Sequence, residues 1–186
     1  MAPTLQVGDY LLVRHYHFIE PRRGDVAVFL YRDLNIYYIK RLIGLPGDTI
    51  QMRDGTLYIN DASVKRERTG TNVDPLLGSP RDVYRETLPN GVAYSILLDS
   101  LHAPAAEKAC DRANGDSGDA ENTCPYVVPP DHYFVMGDNR DNSQDSRIGD
   151  FRFVARDHLV GRADLIWWSK TARRQNRRIA PVSAGR

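Results

Sequence analysis

The sequence predicts a mostly β protein whose strands are antiparallel. Short runs of apolar, β-branched and aromatic residues are separated by Gly-Asp and Pro-Gly turns, and the 186 residues include 14 glycines, 11 prolines and 10 tyrosines. The first 60 residues show no apolar stripe with the period of an amphipathic helix. We therefore expect an antiparallel β core made of short strands joined by tight turns.

The N-terminal third predicts three strands and a hairpin. The strands are expected at 9–13, 25–31 and 36–45, and the last of these stops at the turn Pro46-Gly47-Asp48. The hairpin is expected at 51–59, where Asp54-Gly55 is a dipeptide that a type I′ turn favours. This spacing of short strands is typical of an antiparallel β domain.

Residues 61–125 differ in character from the segments on either side. The alternation of apolar and polar residues weakens there, with strands expected only at 81–88 and 91–99 and a helical turn at 101–108. Strand patterns return at 126–136 and 159–169. We therefore expect a core domain formed by residues 1–60 and 126–172, a smaller inserted β-rich domain at 61–125, and a flexible basic tail at 173–186.

Charge and hydropathy exclude several classes of protein. The formal net charge is +1, and no run of 18 apolar residues is present to span a membrane. The strongest local charge lies in the tail, where Arg173, Arg174, Arg177 and Arg178 stand close together without interleaved aromatic residues. A solvated tail is therefore favoured over a nucleic-acid or anionic-membrane binder. We expect no nucleic-acid partner, no metal and no other cofactor.

The two cysteines, Cys110 and Cys124, lie in a polar, turn-rich stretch with 13 residues between them. The spacing of a zinc site is absent, and no histidine stands nearby to complete one. A disulfide that closes this loop is favoured over two free thiols. Such a disulfide would imply an oxidising compartment such as the periplasm.

Two further segments carry residue types that catalysis uses. Residues 137–147 (GDNRDNSQDSR) contain no large apolar side chain and follow an apolar strand directly. A hydrogen-bond network that fixes the loop is favoured over a solvated turn, and over a calcium loop because two arginines oppose a cation. Lys40 lies among apolar residues of a predicted strand, where burial would lower its pKa as a lysine base requires. From this segment alone, an edge-strand lysine that reaches water is the favoured interpretation.

Five ordered blocks combine these features. They read M-x-P-T-L-x-x-G-D-x-x-x-V at 1–13, R-G-D-V-x-V-F at 23–29, Y-I-K-R-x-I-G-L-P-G-D at 38–48, V-V-P-P-x-x-Y-F-x-M-G-D-N-R-D-N-S-x-D-S-R at 127–147 and L-V-G-R-A at 159–163. In these blocks the sequence resembles the type I signal peptidases, or leader peptidases, which are membrane-anchored serine proteases. The inserted segment resembles them only loosely, chiefly at 84–89 (YRETLP).

The resemblance implies an antiparallel catalytic core similar to that of the SOS repressors and a Ser/Lys dyad. In this family a neutral lysine takes the proton of a serine hydroxyl that attacks the substrate carbonyl. Lys40 matches the general base, and Ser143 matches the serine that orients it. Supporting roles fall to four charged residues of the same loop: Asp145, Arg147, Asp138 and Arg140. The five histidines need no catalytic role.

The resemblance also implies the substrate and the location. The family removes signal peptides from exported preproteins after small residues in the pattern A-x-A. One pocket for these residues matches Met1, Leu5, Tyr38 and Ile39, and the other matches Leu11, Val28 and Ile39. Core packing is the alternative for each of these residues, and it is the favoured one for Leu11 and Val28. The expected partners are preproteins and the membrane surface, with the catalytic domain facing the periplasm from the bacterial inner membrane.

The sequence departs from the family pattern at its beginning. The family's nucleophilic serine stands immediately before the methionine that matches Met1, and a membrane anchor precedes both. We therefore expect the 186-residue chain to be inactive as it stands. A fragment of a longer protein is favoured over a deliberately shortened chain and over a natural inactive homologue. A non-catalytic protein that binds signal peptides is the alternative function.

Overall fold

A computed structural model describes residues 1–73, 80–99, 120–148, 151–170 and 177–179. These residues form strands β1 (Asp9–His15), β2 (Val26–Tyr31), β3 (Ile36–Gly44), β4 (Thr49–Arg53), β5 (Thr56–Ile59), β6 (Ala62–Ser63), β7 (Lys65–Val73), β8 (Pro80–Thr87), β9 (Ala93–Asp99), β10 (Tyr126–Val127), β11 (His132–Met136), β12 (Val154–Ala155), β13 (Leu159–Ser169) and β14 (Arg177–Arg178). Two one-turn 3₁₀ helices cover Arg140–Asn142 and Arg156–His158. The predicted β class is confirmed.

The largest sheet contains seven strands in the order β1-β13-β2-β3-β11-β12, with β14 added beside β13. All of its strand pairs for which a register is given are antiparallel. The strands predicted at 9–13, 25–31, 36–45 and 159–169 are therefore confirmed to within two residues at each end. β3 is central because β2 pairs along one edge of it and β11 pairs with its C-terminal half.

The predicted hairpin is the β4-β5 pair of a four-stranded sheet with the order β10-β4-β5-β6. Asp54 and Gly55 connect the two strands with φ values of 47° and 67°. Positive φ at both central positions is the condition for a type I′ turn, whose twist matches that of the strands it joins. Asp and Gly tolerate this conformation better than other residues, so the turn prediction is confirmed.

The inserted segment contributes a three-stranded antiparallel sheet with the order β7-β8-β9. β8 and β9 are the two strands that the sequence predicts at 81–88 and 91–99. β7 was not predicted, because its sequence KRERTGTNV has charged or polar side chains on both faces. It is an outer strand of this sheet, where both faces can stay solvated.

A shared hydrophobic cluster joins the inserted strands to the rest of the protein. It contains Leu88, Val92, Tyr94 and Ile96 from the inserted segment together with residues of β3, β4, β5, β10 and β11 such as Phe134. The segment therefore buries its apolar face against the first two sheets. Residues 61–125 and the rest of the protein thus share one hydrophobic core. The division into a core domain and an inserted domain stays a prediction.

The tail and the inserted loop are described only in part. Arg177 and Arg178 pair with Ile166 and Leu165 of β13, and Ile179 packs against the cluster below β1 and β13. These three residues therefore lie beside β13, and the flexible tail expected at 173–186 stays a prediction. The helical turn predicted at 101–108 and the arginines at 173 and 174 lie outside the described residues. Within the described ranges, no helix is long and apolar enough to cross a membrane.

Candidate active site

Lys40 lies in β3 and contacts the polar loop that follows β11. Met136, the last residue of β11, pairs with Arg41, so the chain leaves β11 beside the lysine. The loop then returns Ser143 to this position after one 3₁₀ turn. Lys40 Nζ donates a hydrogen bond of 2.8 Å to Ser143 Oγ. The structure therefore brings together the two residues that the sequence predicts to form the catalytic centre.

The environment of Lys40 favours its neutral form. Burial lowers the pKa of the half-buried Lys40 amine, because the ammonium form loses hydration. The charges of Asp145 and Asp138 act in the opposite direction, and that of Arg147 adds to the lowering. The Tyr38 ring centroid lies 5.8 Å from Nζ on the same side of the strand. The net effect is an amine that loses its proton more readily than an exposed lysine does.

Gly137 allows Ser143 to approach. A Cβ atom at this position would lie 2.2 Å from Ser143 Oγ and 2.6 Å from Ser143 Cβ. It would also lie 3.6 Å from Lys40 Nζ. Any larger residue must therefore displace the serine, so the first position of the loop is restricted to glycine by space and not by backbone conformation.

Asp145 fixes the loop from inside. It is fully buried and accepts hydrogen bonds of 2.9 Å from the backbone N–H of Gly137 and from Arg147 Nη2. Burial by itself would raise its pKa, but the Arg147 charge and hydrogen bonds, including one from Ser143, hold the pKa below the ordinary aspartate value. Asp145 is therefore ionised at neutral pH, and it connects Ser143 to the core of the loop.

Two further buried ion pairs surround this centre. Arg41 binds Asp138 with two hydrogen bonds of 2.8 and 2.7 Å, and Thr4 also donates to Asp138. Arg140 binds Glu86 of β8 through both of its terminal nitrogens, with 2.9 Å between Nη1 and Oε1. With Asp145 and Arg147, the network contains three anions and three arginines, so its buried charges balance.

The sequence that surrounds Lys40 and Ser143 matches one known family. Residues 1–168 match the family model described as signal peptidase, peptidase S26. The chain belongs to the signal peptidase family.

Two sequence relatives support this assignment. The chain is 41% identical over 152 residues to signal peptidase I of Rickettsia typhi, a match that covers 81% of this chain and 53% of that protein. It is also 41% identical over 151 residues to signal peptidase I of Rickettsia canadensis, with the same coverage. The chain spans about half the length of the curated relatives it matches. A crystal structure of a signal peptidase I from Enterococcus faecalis V583 is 28% identical and covers 77% of this chain and 96% of that chain, with a TM-score of 0.42.

The residues that the resemblance assigns to substrate pockets fall into two groups. Met1, Leu5, Leu11 and Ile39 share one apolar cluster, and Val28 is the cross-strand neighbour of Ile39. Tyr38 packs in a neighbouring cluster, where its ring is 5.9 Å from Phe29. The structure thus places five of the six predicted pocket residues together, and the pocket assignments stay a prediction.

The sequence reasoning missed three residues of the network. Arg41 follows the predicted base Lys40 directly. A single charged residue in an apolar strand does not indicate which distant residue it pairs with. Glu86 lies in the weakly matching YRETLP segment, which the resemblance noted without a role. Tyr94 donates to Glu86 over 2.7 Å and lies under the Arg41 guanidinium, with 4.1 Å between Arg41 Cζ and the ring centroid. The loose match at 84–89 (YRETLP) was the one sequence signal that could have pointed to Glu86.

The predicted disulfide is only half described. Cys124 is buried, and its neighbour Thr123 is bound to Met52 of β4. The Thr123 N–H donates to the Met52 carbonyl over 3.1 Å, and the Met52 N–H donates to Thr123 Oγ1 over 3.0 Å. Cys110 lies outside the described residues. The pairing of Cys110 with Cys124 therefore stays a prediction.

Replacing Gly137 with alanine is expected to separate Lys40 from Ser143 and to lower the free energy of unfolding by about 1–3 kcal/mol, because the added methyl group overpacks a buried site. Urea unfolding measures the loss. Gly70→Ala is the matched control, since no atom lies within 4 Å of a Cβ placed there. It is expected to change the free energy of unfolding by less than about 0.5 kcal/mol. Equal effects of the two substitutions would contradict the steric role of Gly137.

Proposed function

We propose that this protein is the catalytic region of a type I signal peptidase, in which Lys40 is the general base of a Ser/Lys dyad. The observation that carries the proposal is the hydrogen bond of 2.8 Å between the desolvated Lys40 amine and Ser143. A lysine serves as a base only when it is neutral, and a neutral partner such as a hydroxyl can orient its lone pair without raising its pKa. Burial of Lys40 favours the neutral amine, and Ser143 supplies the hydroxyl partner, so both support the proposal.

The proposal includes a serine nucleophile bonded to the nitrogen of Met1. The Met1 amino group interacts electrostatically with both Asp138 and Lys40, and Met1 packs in the same apolar cluster as Ile39, the residue before Lys40, which supports this placement of the serine. Neutral Lys40 would take the proton of that hydroxyl as its oxygen attacks the substrate carbonyl. The resulting ammonium would return the proton to the leaving amine. Lys40 would then activate the water that releases the acyl group.

The substrate is proposed to bind as an extended strand beside β3. Among the described residues, β11 pairs with β3 only from Arg41 to Gly44, so residues 36–40 have one edge that faces no strand. An extended peptide can add its backbone to such an edge and place alternate side chains in pockets below it. The half-buried side chains of Met1 and Ile39 line the nearest apolar surface, which suits small residues such as alanine.

The partner is proposed to be a membrane surface that carries preproteins. Four apolar side chains on β1 and β13 are between 42% and 58% exposed, namely Tyr10, Leu12, Trp167 and Trp168. Tyr10 and Trp168 are cross-strand neighbours whose rings are 5.2 Å apart. Aromatic and aliphatic side chains grouped in this way are suited to the interfacial layer of a bilayer. We propose the periplasmic face of the bacterial inner membrane as the location.

The proposed activity can be tested with a chain that carries one serine before Met1. This protein is expected to cleave a synthetic signal peptide after an A-x-A sequence, and to cleave one with leucine at the last position about 10- to 200-fold more slowly. The 186-residue chain without the added serine is the matched control and is expected not to cleave. Mass spectrometry of the products identifies the bond that is broken.

The same experiment decides between an enzyme and a binding protein. If the serine-extended chain binds the A-x-A peptide but does not cleave it, the non-catalytic alternative is supported and the proposed catalysis is wrong. If it cleaves both peptides equally, the catalytic proposal stands and the preference for small residues is wrong.

A further inference from the structure

Glu86 lies on the inserted strand β8, yet it is bound to the loop that carries Ser143. Its carboxylate is 1% exposed and is held by Arg140 Nη1 and Nη2. The Arg140 carbonyl accepts a hydrogen bond of 2.7 Å from Arg147 Nη2, and Arg147 in turn binds Asp145. Because Asp145 contacts both Gly137 and Ser143, an unbroken series of polar contacts runs from Glu86 to the serine.

Glu86 is also connected to the strand that carries Lys40. Tyr94 of β9 donates to Glu86 Oε2 over 2.7 Å, and its ring lies 4.1 Å from Arg41 Cζ. Arg41 follows Lys40 in β3 and is anchored to the backbone carbonyl of Gly24 and to Asp138. One carboxylate thus reaches both halves of the catalytic pair, through Arg140 on one side and through Tyr94 on the other.

Other contacts fix the same loop to the inserted sheet farther along β8 and β9. The backbone N–H of Leu97 donates to the Asp138 carbonyl over 2.9 Å, and Arg81 Nη1 donates to Asn139 Oδ1 over 2.6 Å. The backbone N–H of Asp99 donates to Asp141 Oδ2 over 2.6 Å. The turn before Ser143 therefore rests on β8 and β9, with the contacts of Arg81 and Asp99 at one end of the strand pair and the buried Glu86 near the other.

We propose that Glu86 is a positioning residue that holds Ser143 against Lys40 by anchoring both elements that carry them. The inserted sheet would then position the catalytic residues in addition to completing the fold. This inference rests on the proposed role of Lys40 as a base. It does not require Glu86 to touch substrate.

Removing the Glu86 charge is expected to raise the pKa of Lys40. Arg140 would lose its buried partner, so the turn would move and water would reach the lysine, which restores hydration of the ammonium. The charged groups that face Lys40 are Asp145, Arg147, Asp138 and the Met1 amino group, and none of these is altered by the substitution. Loss of an anion by electrostatics alone would lower the lysine pKa, so a rise identifies positioning.

The direct experiment is an NMR titration of the 186-residue chain labelled with ¹³C at the lysine ε carbon. The chain has only four lysines, so the Lys40 signal can be assigned from the spectrum of Lys40→Arg. Glu86→Gln is expected to shift the Lys40 titration midpoint upward relative to the unmodified chain. Asp82→Asn is the matched control on the same strand, because it removes an ion pair between half-buried Asp82 and exposed Arg68 and is expected to leave the midpoint unchanged.

A second variant keeps the test decisive if Glu86→Gln does not fold. Tyr94→Phe retains every charge and removes only the hydroxyl that connects Glu86 with the Arg41 side. It is expected to shift the Lys40 midpoint upward by a smaller amount. An unchanged or lowered midpoint in a folded Glu86→Gln protein would overturn the inference, as would an unchanged midpoint in Tyr94→Phe when Glu86→Gln is unfolded.

The outcomes separate this inference from the proposed function. One outcome is a Lys40 midpoint in the unmodified chain that lies below that of an ordinary lysine and that neither substitution changes. That result would overturn the role of Glu86 and leave the proposed function standing. A midpoint at the ordinary lysine value in the unmodified chain would overturn both. In the serine-extended chain, Glu86→Gln is expected to reduce kcat/KM at pH 7 by about 10- to 100-fold, with part of the activity regained at higher pH.

Discussion

Replacing Lys40 with alanine in the serine-extended chain is expected to lower kcat/KM for an A-x-A signal peptide by about 10²- to 10⁴-fold, the usual contribution of a general base. The substitution removes the amine that Ser143 orients at 2.8 Å, and no other basic amine stands in that position among the described residues. Initial rates of peptide cleavage measured at several substrate concentrations give the effect.

Lys40→Arg makes this test sharper. Arginine keeps the positive charge and most of the length, but its guanidinium does not lose a proton in the pH range where proteins are folded. The expected loss is therefore as large as for alanine. Lys65→Ala, which removes an exposed lysine paired with Glu67, is the control and is expected to leave the rate unchanged. Activity in Lys40→Arg close to that of the unmodified enzyme would show that Lys40 is not the base.

The pH profile gives the same information by a different route. A base acts in its deprotonated form, so kcat/KM is expected to rise with pH and to level off once Lys40 is neutral. Because burial lowers the pKa of Lys40 from 10.5, this rise is expected at lower pH than for an exposed lysine. The absence of such a rise, with the protein folded throughout, would contradict a lysine base.

The sequence predicted the strands correctly where runs of apolar, β-branched or aromatic residues marked them. β2, β3 and β13 are buried on at least one face and have β-branched or aromatic residues, so pattern and structure agree. β7 was missed since its stability comes from pairing with β8 and not from apolar residues of its own. The strand at Arg177–Arg178 was missed for the same reason, because two arginines on an edge are held by the backbone of β13.

The sequence predicted the centre of the candidate site better than its surroundings. Lys40 and Ser143 lie in long specific motifs, whereas Glu86 lies 54 residues before its partner Arg140, in a segment of weak resemblance. No periodicity relates two residues that far apart. Their meeting depends on how the β8-β9 hairpin packs against β3 and β11, which only the three-dimensional structure shows.

Replacing Asp145 with asparagine is expected to lower the free energy of unfolding by about 3–5 kcal/mol, which is the usual cost of removing one partner from a buried ion pair. Arg147, which is 3% exposed, would keep its charge without the carboxylate that balances it. Typical domains are stable by only about 5–15 kcal/mol, so the variant is expected to be marginally folded. Urea unfolding at pH 7 measures the change.

The effect of this substitution is expected to depend on pH with a definite sign. The folded-state pKa of Asp145 is lower than the ordinary value of 3.8, so its stabilising contribution is complete above that value and is lost as the pH falls through the folded-state pKa. Asparagine does not titrate. The difference in unfolding free energy between the two proteins is therefore expected to narrow as the pH is lowered below 3.8.

Asp157→Asn tests whether the stabilisation by the Asp145–Arg147 ion pair comes from its burial or from its short N–O distance. The ion pair between Asp157 Oδ2 and Arg32 Nη2 has a length of 2.8 Å, close to the 2.9 Å between Asp145 Oδ2 and Arg147 Nη2. The side chains of Asp157 and Arg32, however, are 65% and 56% exposed. Solvent screens such a pair, so its loss is expected to cost less than about 1 kcal/mol. If both substitutions cost the same, the loop would be held by its backbone turns. A large cost confined to Asp145 would instead show that the buried charge network sets the shape in which Ser143 meets Lys40.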